Sequence, residues 1–184
     1  FANGMGIVEQ RAIEGLFDVE PLFDKLDGTF PNHEANPLKT DTLEAVSKKM
    51  AGGGYDFGVA YDGDADRAGF LDETGQVIPM DRITALIAIM MLERNPGATI
   101  FYDLRSSWSV KEVIEEHGGT ARKSRVGHAF IKQQMREADA VFAGELSGHY
   151  YFRQNYFTES SSLAILQIAN LVSQSDKSLS ELVA

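Results

Sequence analysis

Three aspartates at alternate positions stand between two short apolar runs in this 184-residue chain. They occupy the stretch Asp62-Gly-Asp64-Ala-Asp66, and the apolar runs at 57–61 and 68–71 predict a β-strand on either side. Three carboxylates this close repel one another unless a cation neutralises them or at least one pKa rises. Oxygen ligands favour magnesium, calcium or manganese over zinc. The stretch therefore predicts two strands joined by a metal-binding loop.

An EF-hand calcium loop is one alternative for this stretch. Asp62, Asp64, Asp66 and Glu73 fall at the ligand positions of such a loop, but Arg67 stands where the loop needs a glycine. The flanking residues are also typical of strands rather than helices. Both conflicts disfavour the EF-hand.

A phosphatase of the haloacid-dehalogenase type is a second alternative. In that class an Asp-x-Asp follows a strand, so Asp62 would be the nucleophile and Asp64 the general acid. The class also expects Thr or Val at position 66 and a later acidic pair near a strand end. The chain supplies neither clearly.

Charge and composition exclude several classes of partner. The net charge of −10 argues against nucleic acid and anionic membranes, because both are bound through basic surfaces. No apolar run approaches the roughly 20 residues that cross a bilayer. The absence of cysteine rules out disulfides and thiolate metal sites, and it favours a cytoplasmic location.

The spacing of apolar residues predicts an α/β fold. Before the acidic stretch we expect a helix over 4–16 with Met5, Val8, Ala12 and Leu16 on its apolar face, a strand over 19–23 and a helix over 40–50 capped by Thr40 or Asp41. After it, strands alternate with helices. The expected strands are 99–102, 120–123, 140–143 and 150–152, and the expected helices are 82–93 with Asp81 as cap, 107–117, 126–137 and 160–172.

This alternation favours two α/β units with mainly parallel, mixed sheets flanked by helices. We place the units at residues 1–75 and 76–184. The chain begins at Phe1 with a turn-like segment and no preceding strand, so we expect it to be a fragment of a longer protein.

Two further stretches carry candidate site residues at expected strand ends, where α/β proteins bind ligands. In Gly144-Glu145-Leu-Ser147-Gly-His149, a carboxylate and a hydroxyl two residues apart could grip adjacent sugar hydroxyls. A bare loop or a hydrolase serine are the alternatives, and the stretch does not fit Gly-x-Ser-x-Gly.

The second stretch is the basic turn at 122–128, which ends in Gly127 and His128. It suits either an anion or a solvated surface, and these two interpretations are equally favoured. Arg105 follows another expected strand and could point into the same cleft. His128 and His149 are the histidines placed to titrate near neutral pH.

Taken together, these stretches resemble the α-D-phosphohexomutase family, in its phosphomannomutase/phosphoglucomutase branch. Residues 62–67 match the magnesium loop of the family, 126–128 its Gly-His loop and 144–149 its sugar-binding loop. The likeness covers nearly the whole chain and corresponds to the second and third of four domains.

The resemblance implies an enzyme that interconverts hexose 1-phosphate and hexose 6-phosphate through a phosphoserine and a bisphosphorylated sugar. The implied magnesium ligands are Asp62, Asp64 and Asp66, with Arg67 near the transferring group. Glu145 and Ser147 are implied to bind the hydroxyl groups of the sugar. The implied groups for binding or proton transfer are Arg105, His128 and His149, and Gly127 is implied as a substrate-binding residue.

The departures from the family pattern concern missing parts. The phosphoserine loop, a Thr-x-Ser-His-Asn type of sequence, does not occur, and neither does the carboxyl-terminal phosphate-binding loop. The partners implied are therefore a hexose phosphate and domains 1 and 4 of the parent, and we expect this chain alone to be inactive. Ser160 and Ser161 replace an acidic pair often found beyond the sugar loop. A stand-alone module that binds metal or sugar phosphate is the non-enzymatic alternative.

Overall fold

The computed structural model describes residues 6–184. The helices are α1 (Gly6–Ile13), α2 (Glu44–Met50), α3 (Met80–Arg94), α4 (Trp108–Glu116), α5 (His128–Glu137), α6 (Ser161–Gln174) and α7 (Leu179–Leu182). The strands are β1 (Gly58–Tyr61), β2 (Ala68–Leu71), β3 (Val77–Ile78), β4 (Thr99–Asp103), β5 (Thr120–Ser124), β6 (Phe142–Gly144), β7 (Tyr150–Phe152) and β8 (Thr158–Glu159). This combination of helices with one antiparallel sheet and one mixed sheet confirms the α/β class.

The described residues form two compact units. The first contains the chain up to Ile78 together with 161–182, and the second contains 79–160. Helices α6 and α7 therefore pack with the first unit, although they follow the second in sequence. The domain boundary that we placed between residues 75 and 76 stays a prediction.

The first unit is built on a three-stranded antiparallel sheet in the order β1-β2-β3. Tyr61 pairs with Ala68, so the acidic stretch forms the connection of a β-hairpin, as the sequence predicts. Leu43, Met50 and Leu71 form a buried cluster that packs the preceding helical turns against this sheet. The hairpin is thus supported by a buried apolar cluster on one face of its sheet.

The start of the first unit differs from the prediction. Residues 4 and 5 of the predicted first helix lie outside the described residues, and the helix ends at Ile13 rather than at 16. Its predicted apolar face is wrong, because Val8 is 48% and Leu16 63% exposed while Ile13 is buried. The strand predicted over 19–23 does not form; Phe23 has a left-handed backbone (φ 55°) that an extended strand cannot contain.

The second unit contains a five-stranded sheet in the order β5-β4-β6-β7-β8. β5, β4 and β6 run parallel, whereas β7 pairs antiparallel with β6 and β8 pairs antiparallel with β7. One core cluster includes Phe101, Ile131, Met135 and Tyr151, which pack α5 against the sheet. The predicted strands and helices of this region form within a few residues of their expected ends, and β8 is an addition that the sequence pattern did not predict.

The parallel strands bring three loops to one edge of this sheet. Asp103 at the end of β4 pairs with Ser124 at the end of β5, and Tyr102 pairs with Gly144 in β6. The loops that follow these strands are 104–107, 125–127 and 145–149. Because parallel strands share a direction, all three loops leave the sheet at the edge where α/β proteins bind ligands.

Two predicted helix caps are wrong. Asp81 lies inside α3, which begins at Met80, and its buried carboxylate instead accepts a 3.0 Å hydrogen bond from the backbone N–H of Ser107. The helical turns predicted to start at Thr40 or Asp41 follow Lys39, which makes no side-chain cap. Within residues 6–184, no helix combines the length and apolar content that a bilayer crossing requires.

Candidate functional site

The three aspartates of the β1–β2 loop converge. One carboxylate oxygen from each of Asp62, Asp64 and Asp66 lies within 4.8 Å of the other two. Opposite ligands of a bound ion are separated by about 4 Å for Mg²⁺ and about 5 Å for Ca²⁺, given their usual bond lengths. The spacing and the oxygen-only chemistry both fit a hard divalent cation, so the triad could hold a metal ion.

Arg67 closes this loop on Asp62. Its Nε lies 2.5 Å from Oδ2 of Asp62, and its backbone N–H donates to Oδ1 at 3.2 Å. Burial raises the pKa of Asp62 above its usual value, and Asp66 adds to this rise, whereas the Arg67 guanidinium opposes it. A bound cation would lower the pKa of Asp62 as Arg67 does, because both favour its ionised form.

Within the loop, Ala65 has a left-handed backbone (φ 60°) and is 3% exposed. Its carbonyl accepts a 2.8 Å hydrogen bond from the hydroxyl of Ser161, the first residue of α6. Ser161 is itself buried. The sequence left this residue without a role, because nothing in its spacing reveals a contact with a loop almost a hundred positions earlier.

A cavity of about 580 Å³ opens beside the acidic loop. Phe30, Glu34 and Ala35 line it on one side, and the loop residues 62–64 and Arg67 line it on the other. The cavity thus places Arg67 and the acidic loop against a space large enough for a phosphorylated group.

In the second unit, Glu145 lies buried at the start of the predicted sugar loop and is 1% exposed. Its Oε2 accepts a 2.6 Å hydrogen bond from the Tyr151 hydroxyl and lies 3.1 Å from Nδ1 of His149. Its Oε1 accepts a 3.2 Å bond from the backbone N–H of Gly127. Burial raises the pKa of Glu145, but the hydrogen bonds from His149, Tyr151 and Gly127 outweigh burial and lower it to about 2.

Glu145 therefore joins the Gly-His loop to the sugar loop. The hydroxyl of Ser147 lies 2.9 Å from Nδ1 of His149, so Ser147 enters the same network. Tyr151 is a member that sequence reasoning missed. Its position two residues after His149 on a strand is compatible with many contacts, and only the pairing of β6 with β7 directs it to Glu145.

Gly127 and His128 mark the beginning of α5. Gly127 adopts φ +123°, which a residue with a side chain rarely adopts, and His128 opens the helix. The rings of His128 and His149 are 6.4 Å apart between centroids. Nδ1 of His128 also lies 3.9 Å from Glu159, which in turn pairs with Lys132 at 2.7 Å. Lys132 and Glu159 are further charged groups beside these histidines that the sequence did not single out.

Arg105 lies in the loop after β4, at the same sheet edge. Its guanidinium pairs with the buried Asp103 at 2.6 Å while its side chain stays 36% exposed. The second unit thus gathers Arg105, Gly127, His128, Glu145, Ser147 and His149 at the edge where β4, β5 and β6 end. The first unit separately gathers Asp62, Asp64, Asp66 and Arg67 around one loop. The individual roles of these residues stay predictions.

Comparison with known proteins gives the same assignment for both parts of the chain. The family model described as phosphoglucomutase/phosphomannomutase, alpha/beta/alpha domain II, matches residues 3–75. The model for domain III of the same family matches residues 79–184. Together the two models cover nearly all of the chain.

Individual relatives agree with the family models. A phosphomannomutase of Methanocaldococcus jannaschii is 45% identical over 184 residues, which are 99% of this chain and 41% of that protein. A phosphomannomutase of Escherichia coli K12 is 46% identical over 177 residues, 94% of this chain and 38% of that protein. A crystal structure of a phosphoglucomutase/phosphomannomutase family protein from Burkholderia thailandensis matches with a TM-score of 0.87 and 31% identity, over 98% of this chain and 41% of that one.

The chain spans about two fifths of the length of these relatives. Its two matched segments are consecutive domains of one family, and its β-hairpin loop and sheet-edge loops are formed by the residues that carry the resemblance. The chain belongs to the phosphoglucomutase/phosphomannomutase family, of which it contains domains II and III.

Proposed function

We propose that this chain supplies the metal-binding and sugar-binding domains of a phosphohexomutase that interconverts hexose 1-phosphate and hexose 6-phosphate. The observation that carries the proposal is the convergence of Asp62, Asp64 and Asp66 on one loop, within a segment that matches domain II of the family. Relatives named phosphomannomutase support hexose phosphates as the substrate class.

We assign the metal as Mg²⁺ and its protein ligands as Asp62, Asp64 and Asp66. A bound divalent ion neutralises charge on phosphoryl oxygens and so lowers the barrier to phosphoryl transfer. Arg67 adds a second positive group at the same loop, where its guanidinium is already oriented by Asp62 at 2.5 Å. A fixed cation of this kind stabilises developing charge without reorganising during the reaction.

In the second unit, Glu145 acts on the sugar as a hydrogen-bond acceptor. Its pKa of about 2 keeps it ionised at neutral pH, and an ionised carboxylate has about four acceptor positions. Tyr151, His149 and Gly127 account for three of them. The remaining one can accept a bond from a sugar hydroxyl, with Ser147 serving an adjacent hydroxyl.

We assign the nearby positive and titratable groups to the anionic end of the substrate and to proton transfer. Arg105 binds the anion, whereas His128 and His149 bind the substrate or transfer a proton. The phosphoserine and the remaining substrate contacts would come from domains I and IV of the parent. Because no Thr-x-Ser-His-Asn type of sequence occurs here, we expect the 184 residues alone to bind without turnover.

The phosphatase alternative is not favoured. Its nucleophile would be Asp62, but the segment that contains Asp62 matches domain II of the phosphoglucomutase/phosphomannomutase family. A stand-alone binding module is likewise not favoured, since both segments match consecutive domains of a mutase family.

Replacement of a single metal ligand tests the proposal. In the full-length enzyme, Asp64→Asn should weaken Mg²⁺ binding, measured by calorimetry, by about a hundredfold or more and remove most mutase activity, since loss of even an outer-shell partner costs roughly 10–100-fold. Asp64 is exposed, so the fold should tolerate the change. The matched control is Asp18→Asn, an exposed aspartate outside the loop. Wild-type activity in Asp64→Asn would contradict the proposal.

A further inference from the structure

One buried carboxylate at the sheet edge of the second unit is not accounted for by the roles proposed above. Asp103 ends β4, the strand between β5 and β6, and is 0% exposed. A fully buried carboxylate is costly unless it is well paired, so its partners show what it stabilises.

The partners of Asp103 come from two different loops. Oδ1 accepts bonds from the backbone N–H of Arg105 at 3.1 Å and from the N–H and hydroxyl of Ser106 at 3.0 Å each. Oδ2 accepts bonds from Nε of Arg105 at 2.9 Å and Nη2 at 2.6 Å, and also from the backbone N–H of Leu146 at 3.2 Å. Leu146 lies between Glu145 and Ser147 in the sugar loop.

This arrangement does more than neutralise one charge. The two guanidinium bonds to Oδ2 orient the plane of Arg105, and among the described residues no partner is found for its Nη1. The bond to Leu146 fixes the backbone that carries Glu145 and Ser147. A single side chain therefore sets the position of the anion-binding arginine relative to the two sugar-reading residues.

Ser107, the last residue of the 104–107 loop, is held in a similar way. The backbone N–H of Ser107 donates to the buried Asp81 of α3 at 3.0 Å. The three consecutive backbone N–H groups of residues 105–107 thus donate hydrogen bonds to two buried carboxylates, those of Asp103 and Asp81. A loop held at three of its four backbone donors is pre-organised, which reduces the ordering cost of ligand binding.

We propose that Asp103 is a positioning residue for the substrate site of this domain, through which Arg105 and the sugar loop are aligned to receive the anionic group and the hydroxyls of one hexose phosphate. The inference rests on the proposed function, because it takes Arg105 and the 144–149 loop as substrate contacts. Asp103 acts through these groups and does not itself touch the substrate.

Steady-state kinetics of the full-length enzyme test this role. Asp103→Asn keeps an acceptor for the loop backbone but removes the charge that orients Arg105, and its amide cannot accept the Leu146 bond through the same atom. We expect KM for glucose 1-phosphate to rise about tenfold or more, because hydrogen bonds to charged groups are worth that factor, while kcat changes by less than about threefold.

Two comparisons separate positioning from simple support of the fold. Asp139→Asn is the matched control, since Asp139 also pairs with an arginine of this unit, Arg153 at 2.9 Å, but at an exposed site; its KM should stay at the wild-type value. In an Arg105→Ala background, Asp103→Asn should lose most of its effect on KM. Equal effects of Asp103→Asn in both backgrounds, or a wild-type KM in Asp103→Asn, would overturn the inference.

A second measurement tests the role of Asp103 even if the Asp103→Asn variant does not fold. In the ¹⁵N spectrum of the wild-type 184-residue chain, the Nε–H signal of Arg105, identified by its loss in Arg105→Lys, should exchange with water far more slowly than that of an unpaired arginine. Rapid exchange would refute the role of Asp103. A full-length wild-type protein that neither converts nor binds hexose phosphate would instead refute the proposed function, so the two failures are distinguishable.

Discussion

Replacement of Tyr151 by phenylalanine isolates one hydrogen bond to the buried carboxylate of Glu145. The change removes only the hydroxyl, which donates to Oε2 at 2.6 Å, and leaves the ring in place among buried neighbours. A hydrogen bond to a charged group contributes about 1.5–3 kcal/mol to stability. We therefore expect the free energy of unfolding to fall by about that amount at neutral pH.

The lowered pKa of Glu145 reflects the net balance between its hydrogen bonds and its burial. Its pKa is about 2 in the folded chain against 4.5 for an unperturbed glutamate. At about 1.4 kcal/mol per pKa unit, the favourable contacts exceed the cost of burial by about 3.5 kcal/mol. Because one hydrogen bond to a charged group contributes at most about 3 kcal/mol, a loss much greater than that would point to damage beyond this bond.

The sign of the pH dependence follows from the direction of the shift. A carboxylate with a lowered folded pKa adds stability that is present above its unfolded pKa of 4.5 and is lost as pH falls through about 2. The folded pKa of Glu145 should rise in Tyr151→Phe, because a bond to its ionised form is lost. Because the unfolded pKa is the same in both proteins, their stability difference should shrink as pH falls from the raised folded pKa of the variant towards about 2.

Urea denaturation of the 184-residue chain at neutral pH and near pH 3 measures both quantities. Tyr156→Phe is the matched control, because Tyr156 is 84% exposed and the same atom is removed; it should change stability by less than about 0.5 kcal/mol. An equally small effect of Tyr151→Phe at neutral pH, or a large effect that does not depend on pH, would refute the reasoning.

Two further predictions concern packing around the functional loops. Ser161→Ala removes the hydroxyl that holds the Ala65 carbonyl and should weaken Mg²⁺ binding about tenfold by calorimetry, whereas Ser173→Ala on the exposed end of the same helix should not; equal affinities would contradict a supporting role. Gly144→Ala would place a Cβ atom 2.2 Å from Oγ1 of the buried Thr84, so it should lower the free energy of unfolding by about 1–3 kcal/mol in urea denaturation. Wild-type stability of that variant would show that Thr84 can move aside.

The sequence predicted best where local pattern and long-range packing agree. The runs at 68–71 and 150–152 are apolar and short, and both become fully buried strands with the expected ends. The triad at Asp62, Asp64 and Asp66 is local in sequence, so its convergence could be foreseen from spacing alone. The α/β class followed from the alternation of such patterns.

The prediction failed where a residue's environment depends on distant partners. Val8 fits a helical apolar face but is exposed, because helix α1 ends early and buries Ile13 instead. The run at 19–23 has strand-like residues but no partner strand among the described residues. Strand β8, at the edge of the five-stranded sheet, became identifiable only through its pairing with β7.

The same reason explains the missed residues of the site. Asp103 directly follows the strand expected over 99–102, but its contact with Leu146 joins residues 43 positions apart. Ser161 and Ala65 are 96 positions apart. Such contacts follow from strand order and helix docking, which a motif does not encode. Motifs therefore identified the residues proposed to contact the substrate, whereas the residues that support them could be identified only from the folded structure.

The most direct test of the central proposal is ³¹P NMR of the full-length enzyme with mannose 1-phosphate or glucose 1-phosphate and Mg²⁺. We predict conversion to the hexose 6-phosphate, and loss of this conversion when the metal is chelated. Release of inorganic phosphate without the 6-phosphate would instead indicate a phosphatase. The absence of any turnover by the full-length protein would contradict its assignment as a phosphohexomutase.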